Sequence, residues 1–242
     1  MDAPAPGMIA PIYPLAYAAT LAGLDANTAR RWVRGYVYPY KGERRTSAPV
    51  VRLGAPASAA KAGLSFEELL TLRLVRAFRE KGLGLPTIKQ AAQIATERYG
   101  LANPFVTKAF RSDGRSVFRE LKQRGDVKGD DGLLVNALTG QQQFRNIVEP
   151  SLFRDVVFTG DLPGQWFPRG KDHAVVIRPD RVFGAPHIAD TGVRTDVLAD
   201  AVAAEGGGVQ AVAAVAAWFK VTEQQVREAM AAEAEWRMPK AA

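Results

Sequence analysis

The stretch Tyr13–Tyr36, YPLAYAATLAGLDANTARRWVRGY, decides the predicted fold because it has the pattern of two short helices joined by a tight turn. Pro14 suits the start of a helix, and Gly23 permits a turn. Asp25 can cap a second helix, which Gly35 would end. Two helices in this order predict a helix-turn-helix, in which the first helix braces the second and the second enters the DNA major groove.

The second of these helices carries polar and basic side chains that need not be buried. They are Asn27, Thr28, Arg30, Arg31 and Arg34. Arginine is the side chain that most often contacts guanine, and it also binds phosphates. The sequence therefore leaves open which of these residues would read bases. We expect Trp32, on the same helix, to lie in the core rather than to intercalate.

Residues 36–53 change to the alternating pattern of strands, with tyrosine at every second position of Tyr36–Tyr40. A charged turn at Lys41–Arg45 and a second strand at 50–53 would complete a β-hairpin. A hairpin directly after a recognition helix is a wing. The side chains expected to contact DNA from it are Tyr38, Lys41, Arg44 and Arg45. The alternative is that the charged turn is only a solvated surface loop.

Two longer helices are predicted after a linker of small residues at 54–63. Ser65 and Glu68 fit a capping box, and the helix that they begin would end at Lys81–Gly82. A further helix would run through 88–99 and stop at the glycine that follows.

The order of these segments resembles the DNA-binding head of the MerR-like winged-helix superfamily over about residues 13–99. The resemblance is carried by the two short helices, the hairpin and the following segment FEELLTLRLVRAFREKGLGLPTIKQAA. It implies a winged helix-turn-helix that binds DNA, and a homodimer for which the helix over 86–99 is a candidate contact. Because the chain has no Cys, a metal-sensing branch of that superfamily is not implied.

The distribution of charge favours a polyanion as the partner of the N-terminal part. The net charge of the chain is +7, and residues 1–61 hold eight Lys or Arg against three Asp or Glu. Residues 195–242 hold four against seven. A basic head attracts nucleic acid, whereas an acidic tail does not. The lack of Cys excludes a disulfide framework, and we expect neither a transmembrane helix nor a signal peptide.

The central part of the chain is expected to form a small, mostly antiparallel sheet. Pro104–Phe110 is predicted as a strand, Ser112–Arg115 as a turn and Leu133–Leu138 as a second strand. A short helical piece is expected at 147–153, and Trp166 is expected at the edge of a packed core.

The segment AVVIRPDRVFGAPHIADTGVRTDVLADAV, from Ala174 to Val202, resembles the signature of a small bacterial family of unknown function found in antitoxins of the VapB type. The residues that carry the resemblance are Val176, Ile177, Pro179, Gly184, Pro186, Ile188, Thr191, Gly192 and Val193. The resemblance covers about residues 174–236, and it implies an antitoxin that binds a toxin protein. The Gly and Pro residues of the segment are most simply structural, because they suit a turn.

Three helices in a homeodomain-like unit are predicted at the C-terminal end. Thr195 would begin the first helix, Gly206–Gly208 would separate it from the second, and Thr222 would open the third with a capping box. The third helix would hold one basic residue, Arg227, against four acidic residues. The acidic residues are Glu223, Glu228, Glu233 and Glu235. This charge favours a structural or protein-binding role for a second helix-turn-helix over contact with DNA.

No pattern of catalytic or metal-binding residues stands out. The histidines are His173 and His187, and we expect His187 to be packed or solvent-facing rather than a general base. Asp126, Asp130 and Asp131 miss the spacing of a calcium loop. We therefore expect no cofactor, no metal and no enzymatic activity. Carboxylates that only folding brings together leave no such pattern, so an enzyme acting on nucleic acid stays an alternative.

These observations predict an α+β, mainly α fold in four parts. The parts are a flexible lead over 1–12, a winged helix-turn-helix domain over 13–102, a small α+β connecting region with a β-rich centre over 103–172, and an antitoxin-like three-helix domain over 173–242.

The predicted function is a sequence-specific transcriptional regulator that binds double-stranded DNA as a homodimer in the cytoplasm, at the nucleoid. The more specific prediction is the antitoxin of a toxin-antitoxin pair, which binds its toxin and represses its own operon. The alternatives are a stand-alone regulator, either effector-sensing or phage-type, and a chromosome-organising protein without a toxin.

Overall fold

The structure, a computed structural model, describes residues 13–51, 63–123, 127–128, 134–135 and 150–237. Within these ranges most regular structure is helical, and the strands form short antiparallel pairs. The prediction of an α+β, mainly α protein is confirmed at this level. The expected lead over 1–12 and the expected linker as far as residue 62 lie outside the described residues, as do Asp126, Asp130 and Asp131.

The helices and strands follow one another in a simple order. The helices are α1 (Leu15–Leu21), α2 (Ala26–Arg34), α3 (Phe66–Glu80), α4 (Leu85–Tyr99), α5 (Lys108–Gln123), α6 (Thr195–Ala204), α7 (Gly208–Phe219) and α8 (Glu223–Arg237). The strands are β1 (Tyr36–Tyr40), β2 (Glu43–Ser47), β3 (Val127–Lys128), β4 (Leu134–Val135), β5 (Val156–Thr159), β6 (Leu162–Trp166), β7 (Val175–Val176) and β8 (His187–Ile188). The strands form separate antiparallel pairs, which are β1 with β2, β3 with β4, β5 with β6 and β7 with β8.

The predicted helix caps of the N-terminal half are confirmed. Asp25 Oδ1 accepts hydrogen bonds from the backbone N–H groups of Asn27 and Thr28, each at 2.9 Å. At the start of α3, Ser65 Oγ accepts from Glu68 N at 3.2 Å, and Glu68 Oε2 accepts from Ser65 N at 2.8 Å. These bonds satisfy N–H groups that a helix leaves without partners, so local sequence fixes where both helices begin.

The hairpin after α2 differs from its prediction in the position of its second strand. The turn contains only Lys41 and Gly42, which have φ angles of 48° and 84°. Two consecutive positive φ angles match the right-handed twist of the strands, so the chain reverses within two residues. The predicted strand over 50–53 is therefore wrong. The N–H groups of Val50 and Val51 instead donate to Trp32 O at 2.9 and 3.1 Å, and residues 52 and 53 lie outside the described ranges.

The predictions of a strand over Pro104–Phe110 and of a turn over Ser112–Arg115 are wrong. A short 3-10 segment at Pro104–Val106 leads into the 16-residue helix α5. Thr107 Oγ1 accepts a hydrogen bond from Phe110 N at 3.0 Å and so caps α5. The apolar residues that pack inward are Phe110, Val117, Phe118 and Leu121. Their spacing is helical, and it decides the structure against the local turn signal of Gly114.

The rest of the central part agrees with its prediction only in fragments. The second predicted strand is present as β4, which pairs with β3. A 3-10 segment at Pro150–Phe153 lies where a helical piece was expected. Trp166 is 3% exposed at the end of β6, as expected for the edge of a core.

An aromatic cluster forms the centre of the core beneath α3. The ring of Phe78 lies 5.2 Å from Phe105, 6.3 Å from Phe110 and 5.8 Å from Phe118, all in edge-to-face contact. All four side chains are fully buried. Edge-to-face aromatic pairs add to the free energy of burial, so this cluster holds α3 and α5 together.

A largely buried ion pair joins α3 to the β5–β6 hairpin. Arg73 Nη2 lies 2.6 Å from Asp155 Oδ2, and the two side chains are 20% and 16% exposed. Arg73 Nη1 also donates to Leu152 O at 3.0 Å, and Trp166 Nε1 donates to Asp155 Oδ2 at 3.0 Å. Burial lowers the pKa of Arg73, and the charge of Asp155 opposes that shift.

The three predicted C-terminal helices are present as α6, α7 and α8. Thr222 Oγ1 accepts from Gln225 N at 3.1 Å, and Gln225 Oε1 accepts from Thr222 N at 2.8 Å, which completes the expected capping box of α8. The N-terminal half contacts this part through Tyr13, whose hydroxyl donates to Gly184 O at 3.0 Å in a buried bond. The buried apolar residues form one cluster that reaches from Tyr13 to Trp236.

We predict that replacing Asp155 by Ala destabilises the fold strongly. The change leaves the largely buried Arg73 guanidinium without its carboxylate, which costs up to about 3–5 kcal/mol, the range typical of a fully buried pair. Thermal or urea unfolding measures the loss. The control is Asp161→Ala, which removes an exposed carboxylate and should change stability by no more than about 0.5 kcal/mol. Equal losses from the two variants contradict the role of the ion pair.

Candidate nucleic-acid interface

Helix α2 has one buried face and one basic, exposed face. Ala29, Trp32 and Val33 are buried, so Trp32 lies in the core as predicted. The exposed side chains are Asn27, Arg30, Arg31 and Arg34, whereas Thr28 is half-buried. Residues three and four apart share a helix face, so the predicted DNA-contacting residues form one stripe. Hydrogen bonds led by that of Thr28 hold the pKa of Asp25, the cap of α2, below its ordinary value.

The three arginine side chains of this stripe differ in the contacts that they make. Arg30 Nη1 donates to Asn27 Oδ1 at 2.6 Å, which couples these two side chains on the surface. The Arg31 guanidinium lies 5.5 Å from the centre of the Tyr36 ring, in a cation–π contact with the hairpin. For Arg34, in the last turn of α2, no side-chain hydrogen bond or ion pair occurs with any residue that the structure describes.

One face of the hairpin carries tyrosines with cations against them. Tyr36 and Tyr38 have ring centres 5.7 Å apart. Arg45 and Lys41 approach the Tyr40 ring to 4.5 and 5.4 Å. The predicted contacts of the sequence included Tyr38 but not the other two tyrosines. The strict alternation of tyrosine over Tyr36–Tyr40 is the signal that places all three on one face.

The three hairpin cations that were predicted to contact DNA lie in different parts of the hairpin. Lys41 lies in the turn, whereas Arg44 and Arg45 belong to β2, opposite Pro39 and Tyr38. Successive residues of a strand point to opposite faces, so Arg44 is exposed on the face away from the tyrosines. The hairpin presents cations on both faces as well as at its tip.

Gly35 forms the joint between α2 and the hairpin. Its φ angle is 71°, and a Cβ atom at this position would lie 2.4 Å from Ser47 O. A side chain would therefore clash with the backbone of β2 as well as strain its own backbone. Lys89 Nζ of α4 donates to Ser47 Oγ at 2.7 Å and holds the same end of β2. The relative position of the stripe on α2 and the hairpin depends on this joint.

We predict that Gly35→Ala lowers the melting temperature more than Gly42→Ala does. Both glycines have positive φ, and each substitution costs about 1–3 kcal/mol in backbone strain. Only at Gly35 does the added Cβ also meet backbone, because nothing lies within 4 Å of a Cβ at Gly42. Thermal unfolding of the two variants compares them directly. Equal shifts show that close packing at the joint is unimportant.

The charge around this surface is strongly positive. Residues 13–51 contain six Lys or Arg against two Asp or Glu, and one of the two acids is the helix cap Asp25. Clustered cations on an exposed helix and hairpin are the electrostatic pattern of a surface that binds polyanions.

Helix α8 is less acidic at its surface than its sequence indicates. Glu233 accepts a hydrogen bond from Thr195 Oγ1 at 2.6 Å and is 9% exposed, and its burial raises its pKa. Glu228 Oε2 accepts from Ala174 N at 2.6 Å. Glu223 and Glu235 pair with Arg227 and Arg169 at 2.6 and 2.9 Å. The four carboxylates thus have partners within the fold, which the sequence alone did not reveal.

The two histidines differ in burial, since His187 is packed in the core and His173 is half-exposed. His187 is fully buried, with Nδ1 2.8 Å from Ala185 O, and burial lowers its pKa. His173 Nδ1 lies 3.7 Å from Glu228 Oε1 at the edge of an open cleft of about 490 Å³. Among the described residues, no group of three or more His, Cys, Asp or Glu could hold a metal ion. Nor does any helix in the described ranges have the length and apolar character needed to cross a membrane.

Comparison with known proteins gives a likeness in fold. No protein family matches the sequence, and no curated protein matches it. The crystal structure of Rv2018 from Mycobacterium tuberculosis is similar to this chain, with a TM-score of 0.64 and 21% sequence identity. The superposition covers 92% of this chain and 99% of Rv2018. The two proteins therefore share an overall fold along nearly their whole lengths.

Proposed function

We propose that this protein is a sequence-specific DNA-binding transcriptional regulator, with α1, α2 and the β1–β2 hairpin as a winged helix-turn-helix. The observation that carries the proposal is the exposed stripe of Asn27, Arg30, Arg31 and Arg34 on α2. In a helix-turn-helix the N-terminal residues of the second helix contact base edges. The coupled Asn27 and Arg30 side chains occupy that position, and both side-chain types bond to base edges.

The hairpin supports this proposal by supplying phosphate contacts beside the helix. Lys41 and Arg44 are exposed, and Arg45 is stacked on Tyr40, which limits its freedom before any ligand binds. A side chain that is already ordered loses less entropy on binding. In this proposal Tyr38 lines the same hairpin face, and Arg34 in the last turn of α2 contacts phosphate.

A homodimer is part of the proposal. One small head contacts few base pairs, and helix-turn-helix regulators gain affinity by binding two half-sites with two-fold symmetry. The operator would then be an inverted repeat, and the protein would act in the cytoplasm at the nucleoid. The resemblance to the MerR-like superfamily makes α4 a candidate for the contact between copies.

The more specific proposal is the antitoxin of a toxin-antitoxin pair that represses its own operon. It is supported by the resemblance of residues 174–236 to the VapB-type signature, whose residues lie in β7, in the segment between β7 and β8, in β8 and in the turn after β8. Helices α6 to α8 follow directly and would bind the toxin protein. The inward hydrogen bonds of Glu228 and Glu233 favour a packed role for α8 over contact with DNA.

One observation favours a stand-alone, effector-sensing regulator as the second candidate. The cleft of about 490 Å³ beside His173 is bordered by charged and polar side chains from α8 and from two loops, which include Asp190, Gln225 and Glu228. Clefts of this volume accommodate small ligands. An effector that binds here would replace the toxin as the signal to the DNA-binding head.

Replacing Arg30, Arg31 and Arg34 by Ala should abolish selective DNA binding. Each good base contact contributes about 1–3 kcal/mol, so preference for a selected fragment over random duplex should fall by at least about 100-fold. Selection of bound genomic fragments supplies the target, and fluorescence anisotropy measures both affinities. The control variant replaces three exposed cations elsewhere, Arg154, Lys171 and Arg181. Preserved selectivity in the α2 variant, with a folded circular dichroism spectrum, refutes the assignment of this helix.

Co-expression with the product of the adjacent open reading frame tests the antitoxin proposal. The expected result is that the pair co-purifies, and that the growth arrest caused by the neighbouring product alone is relieved. A variant truncated before α6 should lose the rescue, whereas the Arg30, Arg31 and Arg34 variant should keep it. Unimpaired growth with the neighbour alone, or no co-purification, excludes the antitoxin role and leaves the DNA-binding proposal standing.

A further inference from the structure

Helix α5 presents a second row of cations that the proposed winged head does not include. Lys108, Arg111, Arg115 and Arg119 are all exposed, at successive spacings of three, four and four residues. These spacings return to one helix face at every turn, so the four side chains form a single line. With a rise of 1.5 Å per residue, the line is about 16 Å long.

The acidic residues of α5 lie off this line and are already paired. Asp113 Oδ2 lies 2.6 Å from Arg98 Nη1 of α4, and Glu120 forms an ion pair with Arg98 Nη2. One guanidinium thus contacts both carboxylates, and hydrogen bonds led by that of Ser116 hold the pKa of Asp113 below its ordinary value. These two carboxylates are therefore engaged with Arg98, on the side of α5 that faces α4.

The surroundings of the row keep it ordered and basic. The Arg111 guanidinium lies 5.6 Å from the centre of the Phe158 ring on β5. Lys108 N donates to Asp161 O at 3.0 Å, so the β5–β6 turn borders the start of α5. Asp161 is the acidic residue next to this end of the row. The buried face of the same helix packs into the aromatic cluster around Phe78, which fixes the direction in which the row points.

Helix α4 connects this row to the hairpin. Lys89, in its first turns, bonds to Ser47 of β2, and Arg98, in its last turn, bonds to α5. Nine residues of helix separate these two contacts by about 14 Å. The hairpin and α5 are therefore held at a fixed separation by one rigid element.

We propose that the α5 row, comprising Lys108, Arg111, Arg115 and Arg119, is a second DNA contact that grips the phosphate backbone of duplex DNA. Guanidinium groups bind phosphate oxygens through paired N–H donors. In this proposal every cation of the row contacts phosphate rather than a base edge, so the row positions the protein on DNA and carries no sequence preference.

The composition of the row favours duplex DNA over other polyanionic partners. Single-stranded nucleic acid is held chiefly by exposed aromatic rings on which bases stack. The core of a protein interface needs aromatic or other large apolar side chains. The exposed face of α5 has neither in the range that the structure describes. This inference rests on the proposed DNA-binding function, but it concerns residues that the winged head does not use.

The test is a salt titration of binding to a random-sequence duplex and to a selected target, with a single-stranded RNA of equal length as a third probe. Arg111, Arg115 and Arg119 are replaced by Gln, which keeps helix propensity. The slope of log affinity against log salt concentration should fall in magnitude by about 0.9 per lost phosphate contact, or about 2.7 for three. The loss of affinity should be equal for the target and the random duplex.

Two matched variants separate this inference from the proposed function. The variant that lacks Arg154, Lys171 and Arg181 removes the same charge elsewhere and should keep the wild-type slope. The variant that lacks Arg30, Arg31 and Arg34 should lose selectivity yet retain the contribution of α5. If the α5 variant lowers the salt slope but the α2 variant keeps wild-type selectivity, the proposed role of the row is supported and the winged head is misassigned.

Three outcomes overturn the role of the row. The first is a slope that the α5 substitutions leave unchanged while the α2 substitutions abolish selectivity. The second is a loss confined to the selected target, which would mean that the row reads bases. The third is tighter row-dependent binding of the RNA than of the duplex. Failure of the wild-type protein to bind any duplex overturns both this inference and the proposed function.

Discussion

The pairing of the largely buried Arg73 and Asp155 side chains holds the β5–β6 hairpin against α3. Arg73 belongs to α3, which contacts α1, whereas Asp155 immediately precedes the β5–β6 strand pair that leads towards the C-terminal helices. Isolated charges are expensive to bury, so loss of either residue leaves its partner at a cost in the free energy of folding. The bonds from Trp166 and to Leu152 fix their geometry and allow only one docking of these elements.

Local chemistry made the beginnings of the helices predictable. Asp25, Ser65 and Thr222 each satisfy backbone N–H groups within four residues, and such bonds need no knowledge of distant parts of the chain. Helix α5 was missed because Gly114 lies in a turn-like sequence, Ser-Asp-Gly-Arg. Packing of Phe110 and Phe118 against Phe78 stabilises the helix, and this contact joins residues far apart in the chain. Tertiary burial outweighed the local preference for a turn.

The candidate site also has one part that the sequence could predict and another that it could not. The stripe on α2 follows from helical spacing alone, so Arg30, Arg31 and Arg34 could be placed on one exposed face from the sequence. The order of the hairpin cations could not, because a two-residue turn at Lys41–Gly42 shifts the register, and every shifted residue changes its place in the sheet. The hydrogen bonds of Glu228 and Glu233 could not be predicted either, because their partners lie on separate elements.

The hydrogen bond from Tyr13 to Gly184 connects the start of the N-terminal helices to the loop before the C-terminal helices. Tyr13 immediately precedes the first turn of α1, and Gly184 lies between β7 and β8, in the loop that leads to the C-terminal helices. Any ligand that displaces this loop must break a buried bond or carry α1 with it. Linkage is reciprocal, so whatever binds the N-terminal helices would then alter affinity at the C-terminal end by the same factor. A ligand that altered this one bond at either end would therefore also act at the other end.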